Sequence, residues 1–157
     1  MKYIVLVVVI ALAIFYFTRS ANNNKVALEN IAIATDFLAK NKANKDVIET
    51  ASGLQYQVLQ KGEGEGHPSA SSTVKVHYHG MLIDGTVFDS SVERGEPISF
   101  PLNQVISGWS EGVQLMVVGD KFKFFIPSEL GYGNKATGKI TPGSLLIFEV
   151  ELLDISS

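Results

Sequence analysis

Apolar residues along this chain follow three different rhythms. From Tyr3 to Phe17 they form an unbroken run of 15 residues, and only Lys2 and Thr18 interrupt the first 18 positions. A segment with no polar side predicts a helix for lipid, or an export signal that is removed. Between Val26 and Lys40, behind a polar spacer at Asn22–Asn24, Leu28, Ile31, Ala32 and Phe37 fall near one helical face. That spacing predicts a short amphipathic helix ending near Asn41, a stalk with one greasy side, and a polar stretch from Lys42 to Ser52.

From Leu54 the period is two. Leu54, Tyr56 and Val58 alternate with Gln55 and Gln57, and Val74, Val76 and Tyr78 with Lys75, His77 and His79. Ile98 and Phe100 flank Ser99, Phe122 and Phe124 flank Lys123, and Leu146 to Leu152 runs against Glu149 and Glu151. These are five half-buried strands of an antiparallel sheet with one wet face. One helical segment interrupts them: Trp109, Val113 and Met116 lie at i, i+4 and i+7, with Ser107 as N-cap and Gly119 closing the end. The pattern predicts an α+β domain, an antiparallel sheet over one short helix, behind an N-terminal hydrophobic helix. The expected division is 1–20 anchor or signal, 21–51 helical and polar linker, and 52–157 domain.

Composition narrows the function. The net charge is −3 and no basic run occurs, which removes the electrostatic footprint of nucleic-acid binding. The absence of cysteine excludes disulfides, thiolate metal sites and thiol catalysis. Gly108-Trp109-Ser110-Glu111-Gly112 spells the G-x-S-x-G of serine hydrolases, but His67, His77 and His79 all precede Ser110, against the order that elbow requires. Gly62 to Gly66 mimics a phosphate loop, yet it opens no helix and carries Glu63 and Glu65, so it reads as a flexible turn. His77 and His79 share a strand face without a third ligand, which favours solvated or locally bonded histidines over a metal site. Phe88, Trp109 and Tyr132 stand at element ends and in loops; together they suggest an apolar cleft without a nucleophile.

Several stretches then resemble a known family, the FKBP-type peptidyl-prolyl cis/trans isomerases. They are Val76-His77-Tyr78-His79-Gly80, Asp84 to Ser91, Phe100 to Ile106 with Gly108-Trp109, Gly131-Tyr132-Gly133, and Phe148 to Leu153, in the family's order. The resemblance covers about Ser52 to Ile155. It implies a bent antiparallel sheet wrapped over a short helix, with a substrate proline ring between them and no cofactor or metal. It also implies Trp109 as pocket floor and Tyr78, Phe88, Val105, Ile106 and Phe148 as walls. The Ile106 N–H and Tyr132 hydroxyl are implied to donate to ligand carbonyls, Asp89 to lie nearest the reacting amide, and Ile140 to stand on the rim. Asp89, Tyr132 and Phe148 are the residues expected to act in catalysis. Ile98 occupies a position where the family often has an aromatic wall, and Ile140-Thr141-Pro142 replaces a frequent Ile-Pro-Pro.

The implied activity is rotation of X-Pro bonds in exported proteins, with proline-containing polypeptides as substrates and macrolide-type molecules as inhibitors. A proline-binding chaperone module with little turnover is the alternative. The expected placement is a membrane anchor through residues 3–17 with a monomeric domain facing the periplasm; a soluble periplasmic protein after signal cleavage is the other outcome.

Overall fold

A computed structural model describes residues 2–156. Met1 and Ser157, the outer bounds of the expected anchor and domain, lie outside the described residues. The chain opens with α1 (Lys2–Lys42), a single helix of 41 residues. The expected break at Asn22–Asn24 does not occur. No glycine or proline interrupts this stretch, and an asparagine costs at most ~0.7 kcal/mol against alanine in a helix interior, too little to end one flanked by strong formers on both sides.

The two halves of α1 have different surroundings. Ile4 to Phe17 are exposed on every side, with Phe17 at 70%. The second half is docked on the domain and is not a solvated stalk. Ala27 and Ala34 are buried, and Phe37 and Leu38 pack on Phe125, Leu145 and Ile147, with the Phe37 and Phe125 rings 5.9 Å apart. The docked face is rotated from the expected one, so Leu28 is 70% exposed and Ala32 is exposed. Close approach decides this phase. A Cβ on Gly143, whose φ is +73°, would come within 2.5 Å of the Ala27 carbonyl oxygen, so the helix can touch that loop only through small residues. Polar ties complete the seam: Asn30 Nδ2 donates to Pro142 O at 2.8 Å, and Asn41 Nδ2 to Gln55 Oε1 at 2.9 Å. Gln55, fully buried, returns a bond from Nε2 to Leu38 O at 3.0 Å.

Seven strands follow: β1 (Val47–Glu49), β2 (Gln55–Gln60), β3 (Thr73–Met81), β4 (Val87–Ser90), β5 (Ile98–Pro101), β6 (Lys121–Ile126) and β7 (Leu146–Ser156). They make one antiparallel sheet in the order β1-β2-β6-β7-β3-β4, with β5 also paired to β3. β7 joins the two halves, pairing Phe124 with Phe148 on one side and Tyr78 with Val150 on the other. A register shift in the β3–β7 ladder, between Lys75 and Val76, bends the sheet near the end of β7.

The five expected strands are present. β1 and β4 are additions, and β1 falls in the stretch expected to be a polar linker. A four-residue helix, α2 (Ser91–Arg94), follows β4, and α3 (Ser107–Val113) lies against the sheet. The α3 boundaries differ from expectation. Ile106 holds the N-cap position without a side-chain bond, and the helix ends at Gln114, well before Gly119. Glu111, on α3, accepts from Thr50 Oγ1 at 2.6 Å and from Ser52 Oγ. The G-x-S-x-G pattern is a packing device, because a Cβ on Gly108 would meet Ile126 and one on Gly112 would meet Phe124, each at 2.6 Å. Trp109, Val113 and Met116 join Leu54, Val74, Val76, Phe124 and Val150 in the main core.

Candidate active site

Between the sheet and α3 opens a cavity of about 310 Å³ lined by Tyr78, Asp89, Phe100, Gln104, Val105, Ile106, Trp109, Tyr132 and Phe148. Three strands, β3, β5 and β7, bring Tyr78, Phe100 and Phe148 around Trp109. The indole meets all three nearly edge-on, at centroid distances of 5.4, 5.7 and 5.4 Å. Such T-shaped contacts fix ring orientation as well as burying area. The turn from the 3-10 segment Leu102–Gln104 into α3 places Val105 and Ile106 at the edge. The Ile106 N–H and the Tyr132 hydroxyl have no hydrogen-bond partner among the described residues, so both are available to a ligand.

The polar corner is built by a tight turn. Ser90 caps α2 by accepting from Glu93 N–H at 3.1 Å, and Gly95 closes it in the left-handed region at φ +72°. That single turn carries Arg94 back over Asp89, where its Nη1 donates to Oδ1 while Nη2 donates to the Tyr78 hydroxyl at 3.1 Å. The Tyr78 hydroxyl donates to Asp89 Oδ2 at 2.5 Å. Burial pushes the Asp89 carboxyl up, but the Tyr78 hydroxyl and the Arg94 guanidinium outweigh it and hold the group below the usual aspartate value. Burial, then the neighbouring carboxylate, pushes the Tyr78 phenol up.

Because the folded pKa of Asp89 lies below the unfolded one, its ionised form stabilises the fold above the unfolded value of about 3.9. That contribution is lost as pH falls through the lower folded value. Replacing Arg94 with Gln removes one partner and should move the Asp89 midpoint upward, as read by carboxyl carbon NMR. An unmoved midpoint would show that Arg94 does not hold the carboxylate.

Of the residues expected at this site, Tyr78, Asp89, Val105, Ile106, Trp109, Tyr132 and Phe148 converge on the cavity, and three do not line it. Phe88 stands behind the wall, meeting Phe148 edge-on at 5.2 Å. Ile98 is 38% exposed beside the cavity, and Ile140 is buried in the main core rather than standing on a rim, bridged to Thr137. Phe100 takes the wall position two residues after Ile98, on the same side of β5. Phe100, Gln104 and Arg94 were not singled out from sequence; for Phe100 the alternation of β5 was the available signal.

The other motifs resolve locally. His77 Nδ1 lies 2.6 Å from Ser91 Oγ and His79 Nδ1 2.8 Å from Ser90 Oγ, while His67 Nδ1 is 3.0 Å from Met116 O, so no histidine serves Ser110. The Gly62–Gly66 segment is pinned rather than flexible at its start. Gly62 N–H donates to Asp120 Oδ1 at 2.7 Å and Gly64 N–H to Val118 O at 3.1 Å.

A family model described as FKBP-type peptidyl-prolyl cis-trans isomerase matches residues 64–153, which include every residue lining the cavity. The chain belongs to this family. A second model, the domain amino terminal to FKBP-type peptidyl-prolyl isomerase, matches residues 11–58. Among relatives, the FKBP-type peptidyl-prolyl cis-trans isomerase FkpA of Aeromonas hydrophila is 56% identical over 86% of this chain and 50% of its own length. The outer membrane protein MIP of Legionella longbeachae is 44% identical over 87% of this chain and 59% of its own. This FKBP chain therefore spans between half and three-fifths of those relatives. The crystal structure of FkpA from Escherichia coli superposes with a TM-score of 0.83 at 42% identity, covering 94% of this chain and 71% of that one.

Proposed function

We propose that this FKBP chain is a peptidyl-prolyl cis/trans isomerase acting on proline-containing segments of exported polypeptides. The observation that carries the reading is an aromatic cavity with a tryptophan floor, two free donors at its edge and one anchored carboxylate. X-Pro rotation must break amide resonance, with a barrier of ~18–20 kcal/mol, but no bond forms or breaks. A thousandfold acceleration needs ~4 kcal/mol of preferential stabilisation. The twisted amide is less polar than the planar one, so apolar walls of Trp109, Phe100 and Phe148 favour it. The Ile106 N–H and the Tyr132 hydroxyl hold the flanking carbonyls while the bond turns, and Asp89 lies beside the reacting amide. Macrolide-type ligands would fill the same cavity.

The membrane anchor belongs to the same reading. It is supported by the exposed apolar first half of α1, long and apolar enough to cross a membrane, and by the kinship with an outer membrane protein. Catalysis is tested on a proline tetrapeptide, whose uncatalysed exchange takes ~10–100 s. The protein at micromolar concentration should shorten that time severalfold, and an unchanged rate would overturn the reading.

A further inference from the structure

The anchor places one part of the domain at a definite height. The apolar run of 15 residues is ~22 Å long as a helix, whereas a hydrocarbon core is ~30 Å thick. Covering that thickness takes ~20 residues, from about Lys2 to about Ala21, so Arg19 and Ser20 come to lie at the lipid–water boundary. In the structure these same residues form a cleft with a loop of the domain: Tyr16, Arg19, Ser20, Asn23 and Asn24 face Asn134. That loop runs from Tyr132, which borders the cavity, through residues 134–139, all exposed, to the contact of Gly143 with Ala27. α1 is continuous and docked from Ala27 onward, so the loop leaves this height only when helix and domain tilt together.

Charge at that level is one-sided. Residues 19–27 and 131–143 carry Arg19, Lys25, Lys135 and Lys139 and no Asp or Glu, in a chain whose net charge is −3. The flanking acidic groups lie further from the apolar run: Glu29 comes later along α1, Glu129 lies beside Gly53, and Asp84 sits near Asn30 and Ile33.

We propose that the loop from Tyr132 to Lys139 rests on an anionic bilayer surface, with Lys135 and Lys139 contacting lipid headgroups, so that the cavity opens at the membrane. The inference depends on the anchor reading and adds to it a second, electrostatic contact made by the isomerase domain itself. Its consequence is a preference for prolines in chain segments that lie against or emerge from the membrane.

The chain has no cysteine, so single cysteines can be placed at will. Fluorophores on Leu12→Cys, Ala136→Cys and Ala43→Cys report the apolar run, the loop and the far end of α1, the last ~34 Å from Ser20 along the helix. The full chain is reconstituted in phosphatidylcholine vesicles with or without phosphatidylglycerol, and quenched by nitroxides on headgroups or on acyl chains. The expected result is acyl-chain quenching at Leu12→Cys and headgroup quenching at Ala136→Cys that exceeds Ala43→Cys and rises with phosphatidylglycerol. Lys135→Gln and Lys139→Gln should each lower the docked-to-undocked ratio about fivefold, with tetrapeptide turnover unchanged. Quenching at Leu12→Cys with Ala136→Cys no different from Ala43→Cys would overturn the loop contact and leave the anchor standing. No quenching at Leu12→Cys would remove the anchor and the inference with it. Phosphatidylglycerol-dependent quenching that survives both glutamine substitutions would refute the assignment to these lysines.

Discussion

Replacing Trp109 by alanine is expected to lower the folding free energy by about 3 kcal/mol, the lower end of the ~3–5 kcal/mol range for a buried tryptophan. The side chain is 4% exposed and meets Tyr78, Phe100 and Phe148 edge-on, so its removal takes the shared partner from three rings at once. The lower figure applies because the void opens into the cavity, where water can enter and limit the cost. Urea unfolding followed by far-ultraviolet circular dichroism should show a midpoint lower by ~1–3 M, given slopes of ~1–3 kcal/mol/M. Trp109→Leu should recover most of that stability without recovering turnover. Were Trp109→Ala to unfold at the wild-type midpoint, the indole would not be what holds the floor together.

Asp89→Ala is expected to act the opposite way, sparing the fold and harming the chemistry. The Arg94–Asp89 pair is half-exposed, at 49% and 45%, and exposed pairs contribute ~1 kcal/mol or less. At the cavity edge, however, the carboxylate orients the Tyr78 hydroxyl, and in the proposed reaction it faces the amide that turns. Loss of a hydrogen bond to a charged group there, ~2 kcal/mol, corresponds to about a 30-fold fall in kcat/KM. Asp89→Asn should fall between wild type and Asp89→Ala, since it keeps the size and one acceptor. A kcat/KM within threefold of wild type in Asp89→Ala would mean that the aromatic walls alone carry the rate.

What could be read without coordinates was set by how much each element depends on its own residues. Strands β3, β6 and β7 bury their apolar residues, and their alternation announces this; β2 and β5 alternate in the same way although their apolar residues are only partly covered. β1 has only three residues and β4 sets the apolar pair Val87-Phe88 before the polar pair Asp89-Ser90, so neither shows a period of two, and both exist because a longer neighbour offers its edge. The unity of α1 was hidden by three asparagines that suit turns; their helix penalty is small, and the seam that begins at Ala27 holds the helix just beyond them. Its phase was hidden too, because hydrophobic size points to Leu28 while close packing selects Ala27 and Ala34. The cavity floor and most of its walls were visible in the family's motifs. Arg94 was not, since its role arises only when a four-residue helix folds it back over Asp89.

The central position of β7 has a consequence for the order of events during synthesis. The strands made earlier form two groups, β3 with β4 and β5, and β1 with β2 and β6, and only β7 hydrogen-bonds to both. Until residues 146–156 leave the ribosome the two groups have no shared ladder, and the aromatic cluster lacks Phe148. Closure therefore waits on contacts of long sequence separation, which form slowly. A nascent chain stays open until that strand emerges, the state in which a polypeptide can still be threaded across a membrane.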